Sequence, residues 1–268
     1  MFRAIWALLQ GVIMTILSGC DVQRNLLYYP GQISIVDVQR YAAENDLRLW
    51  PVENAGYSGL VSRRGPEVPR GTVVVFHGNA GAAAYRDYYV TALEGLGYRV
   101  VLAEYPGYGG RPGELSEKSF VADARETAAR AREEFGGPLY LWGESLGCGV
   151  ASALAADAGL RPHGVILLTP WDSLLHEAQA QFPWLPVRLL MRDAYDNAAN
   201  LASYRGPVAV VMAGRDEVIP NRLTENLFRS LTGPKRIWTF AHAGHNDWPN
   251  QPGLAWWGEV MDFVRTGQ

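Results

Sequence analysis

From about Asp46 onward, short and nearly continuous apolar runs alternate with stretches whose apolar residues recur every three or four positions. The apolar runs fall at 47–52, 57–62, 72–77, 99–105, 139–143, 164–170, 208–213 and 236–240. Runs of this length and β-branched content, with no polar alternation in the later ones, predict parallel strands covered on both faces. Between them lie helical stretches, the clearest over 116–135. There Phe120, Ala124, Ala128, Ala131 and Phe135 form one stripe, and Asp123, Glu126, Arg130 and Glu133 fall elsewhere. Ser116 suits the N-cap of that helix and Gly136 its C-terminal stop. Strand–helix alternation of this kind predicts an α/β fold, a doubly wound and mostly parallel sheet of about eight strands.

Two regions break the rhythm. Residues 20–45 mix aromatic and polar residues without a clear period, and they read as a tether wrapping onto the edge of a domain that spans 46–268. Residues 172–206 separate two strands by more than an ordinary crossover. They hold Phe182-Pro183-Trp184-Leu185-Pro186 and Leu189-Leu190-Met191, an apolar stretch punctuated by prolines. A short cap over a site is expected there, with Trp171 and Trp184 as candidate pocket-lining residues.

The first nineteen residues have another character. Met1-Phe2-Arg3 is followed by a mostly apolar run over 4–17, then Ser18-Gly19-Cys20. One positive charge, a short apolar core and small residues before a boundary are the marks of a secretory signal peptide. The run is shorter than the roughly 20 residues that a transmembrane helix needs, which argues against an uncleaved anchor. Leu17-Ser18-Gly19-Cys20 resembles the bacterial lipobox. That resemblance implies lipidation of Cys20 and attachment to a membrane in the bacterial cell envelope, on the periplasmic face. Asp21 resembles an inner-membrane retention signal.

Composition narrows the function. A net charge of -3 gives no basic excess to neutralise phosphates, so nucleic acid is not an expected partner. The 268 residues suit one sizeable domain. Of the two cysteines, Cys148 lies among small apolar residues, where a thiol behaves as a small hydrophobe. A disulfide between Cys20 and Cys148 stays open on counting alone. His163 and His176 lack metal-ligand spacing, and no metal site is expected. The glycines of 107–113 and Gly78-x-x-Gly81 lack the lysine of a phosphate-binding loop and read as turns. Nothing in the sequence indicates an oligomeric state.

One motif carries chemistry. Leu139-Tyr140-Leu141-Trp142 runs into Gly143-Glu144-Ser145-Leu146-Gly147, followed by a helix of small residues. A sharp strand-to-helix turn of this type lifts a serine hydroxyl above the sheet, and the new helix brings the Leu146 N–H and a positive dipole end beside it. Such a nucleophile requires an acid and then a histidine later in the chain, each after a strand. The run at 208–213 leads into Gly214-Arg215-Asp216-Glu217-Val218-Ile219-Pro220. The run at 236–240 leads into Ala241-His242-Ala243-Gly244-His245-Asn246-Asp247.

With His77-Gly78-Asn79-Ala80-Gly81 and Tyr105-Pro106-Gly107-Tyr108-Gly109, these pieces resemble the α/β-hydrolase family, in its small, membrane-associated branch with an HGN loop. The resemblance covers residue 47 to the C-terminus. It implies a cofactor-free serine hydrolase with Ser145 as nucleophile, His245 as base and Asp216 as the acid that orients it. It also implies an oxyanion hole formed by the backbone N–H groups of Asn79 and Leu146. His242 is the rival base and Asp172 the rival acid. His77 is expected to organise the oxyanion loop, and Glu217 and Asp247 to make local hydrogen bonds. The expected substrate is a small molecule or an acylated one: an ester, thioester or related carboxylic derivative. An acyltransferase with the same residues is the nearest alternative. A catalytically silent binding protein on this frame would have no need of the three reactive groups, and a dehalogenase would need a carboxylate at 145.

Overall fold

The computed structural model describes residues 23–51, 56–250 and 252–268; the leader over 1–19 and Cys20 lie outside the described residues. Eight strands form one sheet. They are β1 (Leu47–Trp50), β2 (Gly59–Ser62), β3 (Thr72–Phe76), β4 (Arg99–Ala103), β5 (Leu139–Glu144), β6 (Gly164–Leu168), β7 (Val208–Ala213) and β8 (Lys235–Phe240). Their spatial order is β1-β2-β4-β3-β5-β6-β7-β8. β1 and β2 join antiparallel at one edge, and every pairing from β4 to β8 is parallel.

Helices cover both faces. Along β3 the two-residue period sends Val74 and Phe76 to one side and Val73 and Val75 to the other, all of them buried. The first side packs against α3 (Glu117–Phe135) and α4 (Leu146–Ala155), through Phe120, Ala124, Ala128, Cys148, Ala151 and Leu154. The second packs against α2 (Asp87–Glu94) and α9 (Leu254–Thr266), through Tyr89, Leu93, Trp257, Val260, Met261 and Val264. Burying each large aliphatic side chain stabilises the fold by roughly 1.5–3 kcal/mol. The alanine stripe of α3 lets that helix lie close to the sheet. Ser116 caps it by accepting the Ser119 N–H, and Gly136, at φ +66°, ends it with its N–H on the Arg132 carbonyl.

The N-terminal segment is more ordered than its sequence suggested. Residues 35–44 form α1 (Ile35–Glu44), fixed by a capping box between Ser34 and Asp37, with Val38 and Ala42 buried in the second core layer. Before it, residues 23–27 are helical and Tyr28 is buried in the first core layer. The long insertion between β6 and β7 holds three short helices, α5 (Leu174–Gln181), α6 (Val187–Leu190) and α7 (Asn197–Leu201). The remaining helix, α8 (Asn221–Ser230), links β7 to β8. Cys148 is a free thiol, buried, with its Sγ–H toward the Leu168 carbonyl, and burial pushes its pKa up. Among the described residues no helix is long and apolar enough to cross a membrane.

Candidate active site

Parallel strands deliver their following loops to one edge of the sheet. Ser145 follows β5 directly, Asp216 comes three residues after β7, and His245 comes five after β8. The turn at Ser145 is tight. Its φ of +51° and ψ of -112° lie where non-glycine residues rarely sit, a strain on the order of 1–3 kcal/mol. Two backbone bonds hold it: the Ser145 N–H donates to the Leu168 carbonyl and the Cys148 N–H to the Ser145 carbonyl, each at 2.9 Å. Only glycine fits on either side. A Cβ on Gly147 would strike the Phe76 carbonyl of β3, and one on Gly143 would strike Cys148.

The three sequence-predicted side chains meet. His245 Nε2 lies 3.0 Å from Ser145 Oγ, and His245 Nδ1 lies 3.0 and 2.9 Å from the two Asp216 oxygens. Asp216 Oδ1 also accepts the N–H groups of Val218 and Ile219, at 2.9 and 2.7 Å, so the carboxylate is aimed by its own loop. The acid and histidine loops are stitched together. The Gly214 N–H donates to the Phe240 carbonyl, the Arg215 N–H to the Ala243 carbonyl, and the His245 N–H to Glu217. Asp247 accepts the Gly244 N–H. An alcohol, an imidazole and a carboxylate in such a series move a proton from Oγ to Nε2 while Nδ1–H stays oriented.

The rivals fall elsewhere. His242 is exposed and its Nδ1 faces Arg215 at 3.2 Å. Asp172 is 2.9 Å from His176 Nδ1, on α5, and also receives Asn226. Neither makes a hydrogen bond to Ser145 or His245.

Asn79 sits in the loop after β3. Its carbonyl accepts the Tyr29 N–H at 2.9 Å and the Tyr108 hydroxyl at 2.8 Å, and its side-chain amide donates to the Leu27 carbonyl. Its backbone N–H takes no part in these bonds. Leu146 opens α4, so its N–H has no preceding turn to bond with. Behind this loop, His77 is buried, with Nδ1 2.7 Å from the Gly78 carbonyl and Nε2 2.9 Å from Glu104 Oε1.

Sequence reasoning missed three acidic groups. Glu104, fully buried, accepts the N–H groups of Ala83 and Tyr105 and ties the loop after β3 to the end of β4. Its signal was an acid closing an apolar strand just before Tyr105-Pro106-Gly107. Glu144, beside the serine, is gripped by Arg86 and by the hydroxyls of Tyr88 and Tyr89, at 3.1–3.3 Å. Burial works against the Arg86 cation, but the Glu144 charge outweighs it and holds the guanidinium pKa above its usual value. Glu177, on α5, lies near enough to His245 to feel its charge. Burial pushes the Glu177 carboxyl up to about 7, and the imidazole partly opposes the shift. Trp184 does not line a pocket. It stands 78% exposed, whereas Trp171 is buried with its indole N–H on the Tyr195 carbonyl.

A family model described as serine aminopeptidase S33 matches residues 67–190, a range that contains Ser145 but neither Asp216 nor His245. An uncharacterised protein of Mycobacterium tuberculosis is 35% identical over 245 residues, covering 88% of this chain and 84% of that one. The lysophosphatidylserine lipase ABHD12 of Danio rerio is 32% identical over 190 residues, covering 61% of this chain and 49% of that protein. The chain thus spans about half the length of that lipase. Among solved structures, the esterase Pf2001 of Pyrococcus furiosus superposes with a TM-score of 0.66 at 16% identity, covering 84% of this chain and 94% of that one. A monoacylglycerol lipase of Paleococcus ferrophilus gives a TM-score of 0.57 at 20% identity, covering 78% and 99%. At such identities the likeness is one of fold.

Proposed function

The chain belongs to the α/β-hydrolase family, and from that premise we propose that it is a serine hydrolase that cleaves acyl esters through an acyl-enzyme at Ser145. One observation carries the reading: the unbroken series Ser145 Oγ, His245 Nε2, His245 Nδ1 and Asp216, each step 2.9–3.0 Å. In the proposed reaction Ser145 Oγ attacks the acyl carbon and its proton passes to His245 Nε2. The oxyanion settles between the Leu146 and Asn79 N–H groups, each such donor being worth about 3 kcal/mol in the transition state. His245 returns the proton to the leaving alcohol. Water then enters, gives a proton to His245 and releases the acid by the reverse steps.

The substrate class we infer is a single-chain acyl ester of a lipid. Two things support it: the exposed apolar residues of the insertion beside the site, and the lipase and esterase names of relatives. Attachment of the protein to a membrane in the bacterial envelope through lipidated Cys20 belongs to the same proposal and rests on the lipobox resemblance. Incorporation of labelled palmitate, lost in Cys20→Ser, is its test.

The catalytic reading is tested by a fluorophosphonate probe with a chain-length series of esters, thioesters and amides. Folded protein takes up the probe, Ser145→Ala does not, and long-chain esters turn over fastest. Equal labelling of Ser145→Ala would sink the assignment. A product that carries added alcohol or amine in place of water would turn it into an acyltransferase.

A further inference from the structure

Exposed large apolar side chains are ordinary when scattered singly and informative when they gather on one rim. Two segments of this molecule hold four of them: Leu26 and Tyr29 before α1, and Trp184 and Leu189 in the insertion, the last two 78% and 81% exposed. The segments are bonded to each other. Gln23 Oε1 accepts the Arg192 N–H at 2.7 Å, and its amide donates to the Asp193 carbonyl. The Tyr28 hydroxyl donates to Asp193 and lies 3.1 Å from the Tyr195 hydroxyl. Onward from there, Tyr29 meets the Asn79 and Gly81 backbone. The apolar rim therefore runs from the insertion to the loop beside Ser145.

Two further observations identify what covers it. Arg188 and Arg192, exposed beside Leu189, form no ion pair among the described residues. Nearby acids are already engaged: Glu114 by Arg24, and Glu117 and Asp193 by backbone amides and Tyr28. The chain also enters here. Residues 1–22, with their apolar run, join the described structure at Gln23, and only Asp21 and Val22, at most ~11 Å of chain, separate Gln23 from Cys20. Tryptophan and arginine at such a boundary suit a headgroup layer, where an indole sits across the polar–apolar transition and a cation meets lipid phosphate.

We infer that the rim of Leu26, Tyr29, Trp184 and Leu189, flanked by Arg188 and Arg192, docks on an anionic phospholipid surface and turns the mouth of the Ser145 site toward the bilayer. This contact is separate from any acyl chain on Cys20 and needs no catalytic assumption.

The test uses the full chain carrying Cys20→Ser, with vesicles of phosphatidylcholine alone or mixed with phosphatidylglycerol. Co-sedimentation is compared with that of two further variants, Trp184→Ser with Leu189→Ser, and Arg188→Gln with Arg192→Gln. Losing each arginine weakens binding to the anionic vesicles about fivefold and leaves neutral vesicles little changed. The apolar pair weakens binding to both by about tenfold or more. An environment-sensitive fluorophore on Trp184→Cys shifts to the blue with vesicles. The same label on Val68→Cys, at the opposite end of the sheet and 89% exposed, does not. Cys148 is buried and does not compete for the label. Equal binding by all variants, or equal response at 68 and 184, overturns the inference. Ser145→Ala binds like its parent, so a failure of docking and a failure of the catalytic reading are told apart. Thermal unfolding and turnover of a water-soluble short ester, unchanged in the rim variants, show that lost binding is not lost folding.

Discussion

The loops bearing Ser145, Asp216 and His245 and the insertion at 172–206 lie at the same end of one sheet, yet they are held in different ways. In the loops, nearly every polar group is committed. Asp216 is aimed by two amides, the acid and histidine loops share backbone bonds, and the Ser145 turn is clamped by backbone bonds to Leu168 and Cys148. The insertion is joined to the body at its base, through Asp193 and Tyr195, and leaves Trp184 and Leu189 in solvent. It also carries a carboxyl, Glu177, that burial disfavours in its charged form. Geometry is thus fixed where bonds are to be made and broken, and surface is left unsatisfied where something else is to be met. The loops gain stability by being complete, and the insertion forgoes some by being open.

The largest effect that separates the two regions is loss of turnover without loss of fold. Ser145→Ala removes the proposed attacking oxygen and its hydrogen bond with His245, and is expected to leave the unfolding temperature near that of the parent. Asp216→Asn keeps an oxygen for the Val218 and Ile219 amides but no longer fixes the Nδ1–H tautomer. It lowers kcat by about 10⁴-fold, as expected for a carboxylate in this role. Steady-state kinetics beside calorimetry read both. Retention of a tenth of the activity by Asp216→Asn would mean that the ordered series is not the working one.

Next comes the support under the oxyanion loop. Glu104 meets His77 and two amides in complete burial. Taking a hydrogen-bond acceptor from such buried donors leaves them unsatisfied, a loss of about 1–3 kcal/mol. Glu104→Gln, which keeps a polar group for the amides, is therefore expected to unfold several degrees earlier. Its kcat falls about 10–100-fold as the loop after β3 loosens, with KM for a short ester less affected. A variant that loses stability and keeps its kcat would show that the loop is positioned without Glu104.

Much of the first region was legible in the sequence, and less of the second. Apolar runs marked all eight strands, most plainly β3 to β7, which are parallel to one another and buried on both faces. The overshoots came where chains leave the sheet for the site: His77 follows the end of β3, and Thr169, at φ +49°, breaks β6 before Pro170. Glycine-flanked Ser145 and two loops after strands were readable as local patterns. Their meeting across 100 residues was an inference from topology, and the hydrogen bond between Ser145 Oγ and His245 Nε2 now makes it geometry. Glu144 was not readable, since its partners are distant in the chain, and Glu104 left only the trace of an acid closing an apolar strand before Tyr105-Pro106-Gly107. In α1 only Val38 and Ala42 are buried, so the apolar stripe is faint; Ser34 and Asp37 were its better signal. Trp184 shows the opposite failure, an apolar residue taken for lining that stands in solvent.

The smallest effect sharpens the comparison most, because it measures what the insertion forgoes. The Glu177 carboxyl is raised by burial from about 4.5 to about 7, against the pull of His245. Between those values the unfolded chain releases this proton while the folded protein retains it. Folding then binds protons, and stability falls as pH rises through the window. Above about 7 the folded protein bears the whole penalty of a desolvated charge. Glu177→Gln has no such charge. It is expected to unfold with its parent at pH 4 and a few degrees later at pH 8, by calorimetry. A gain of equal size at both pH values would assign the effect to packing.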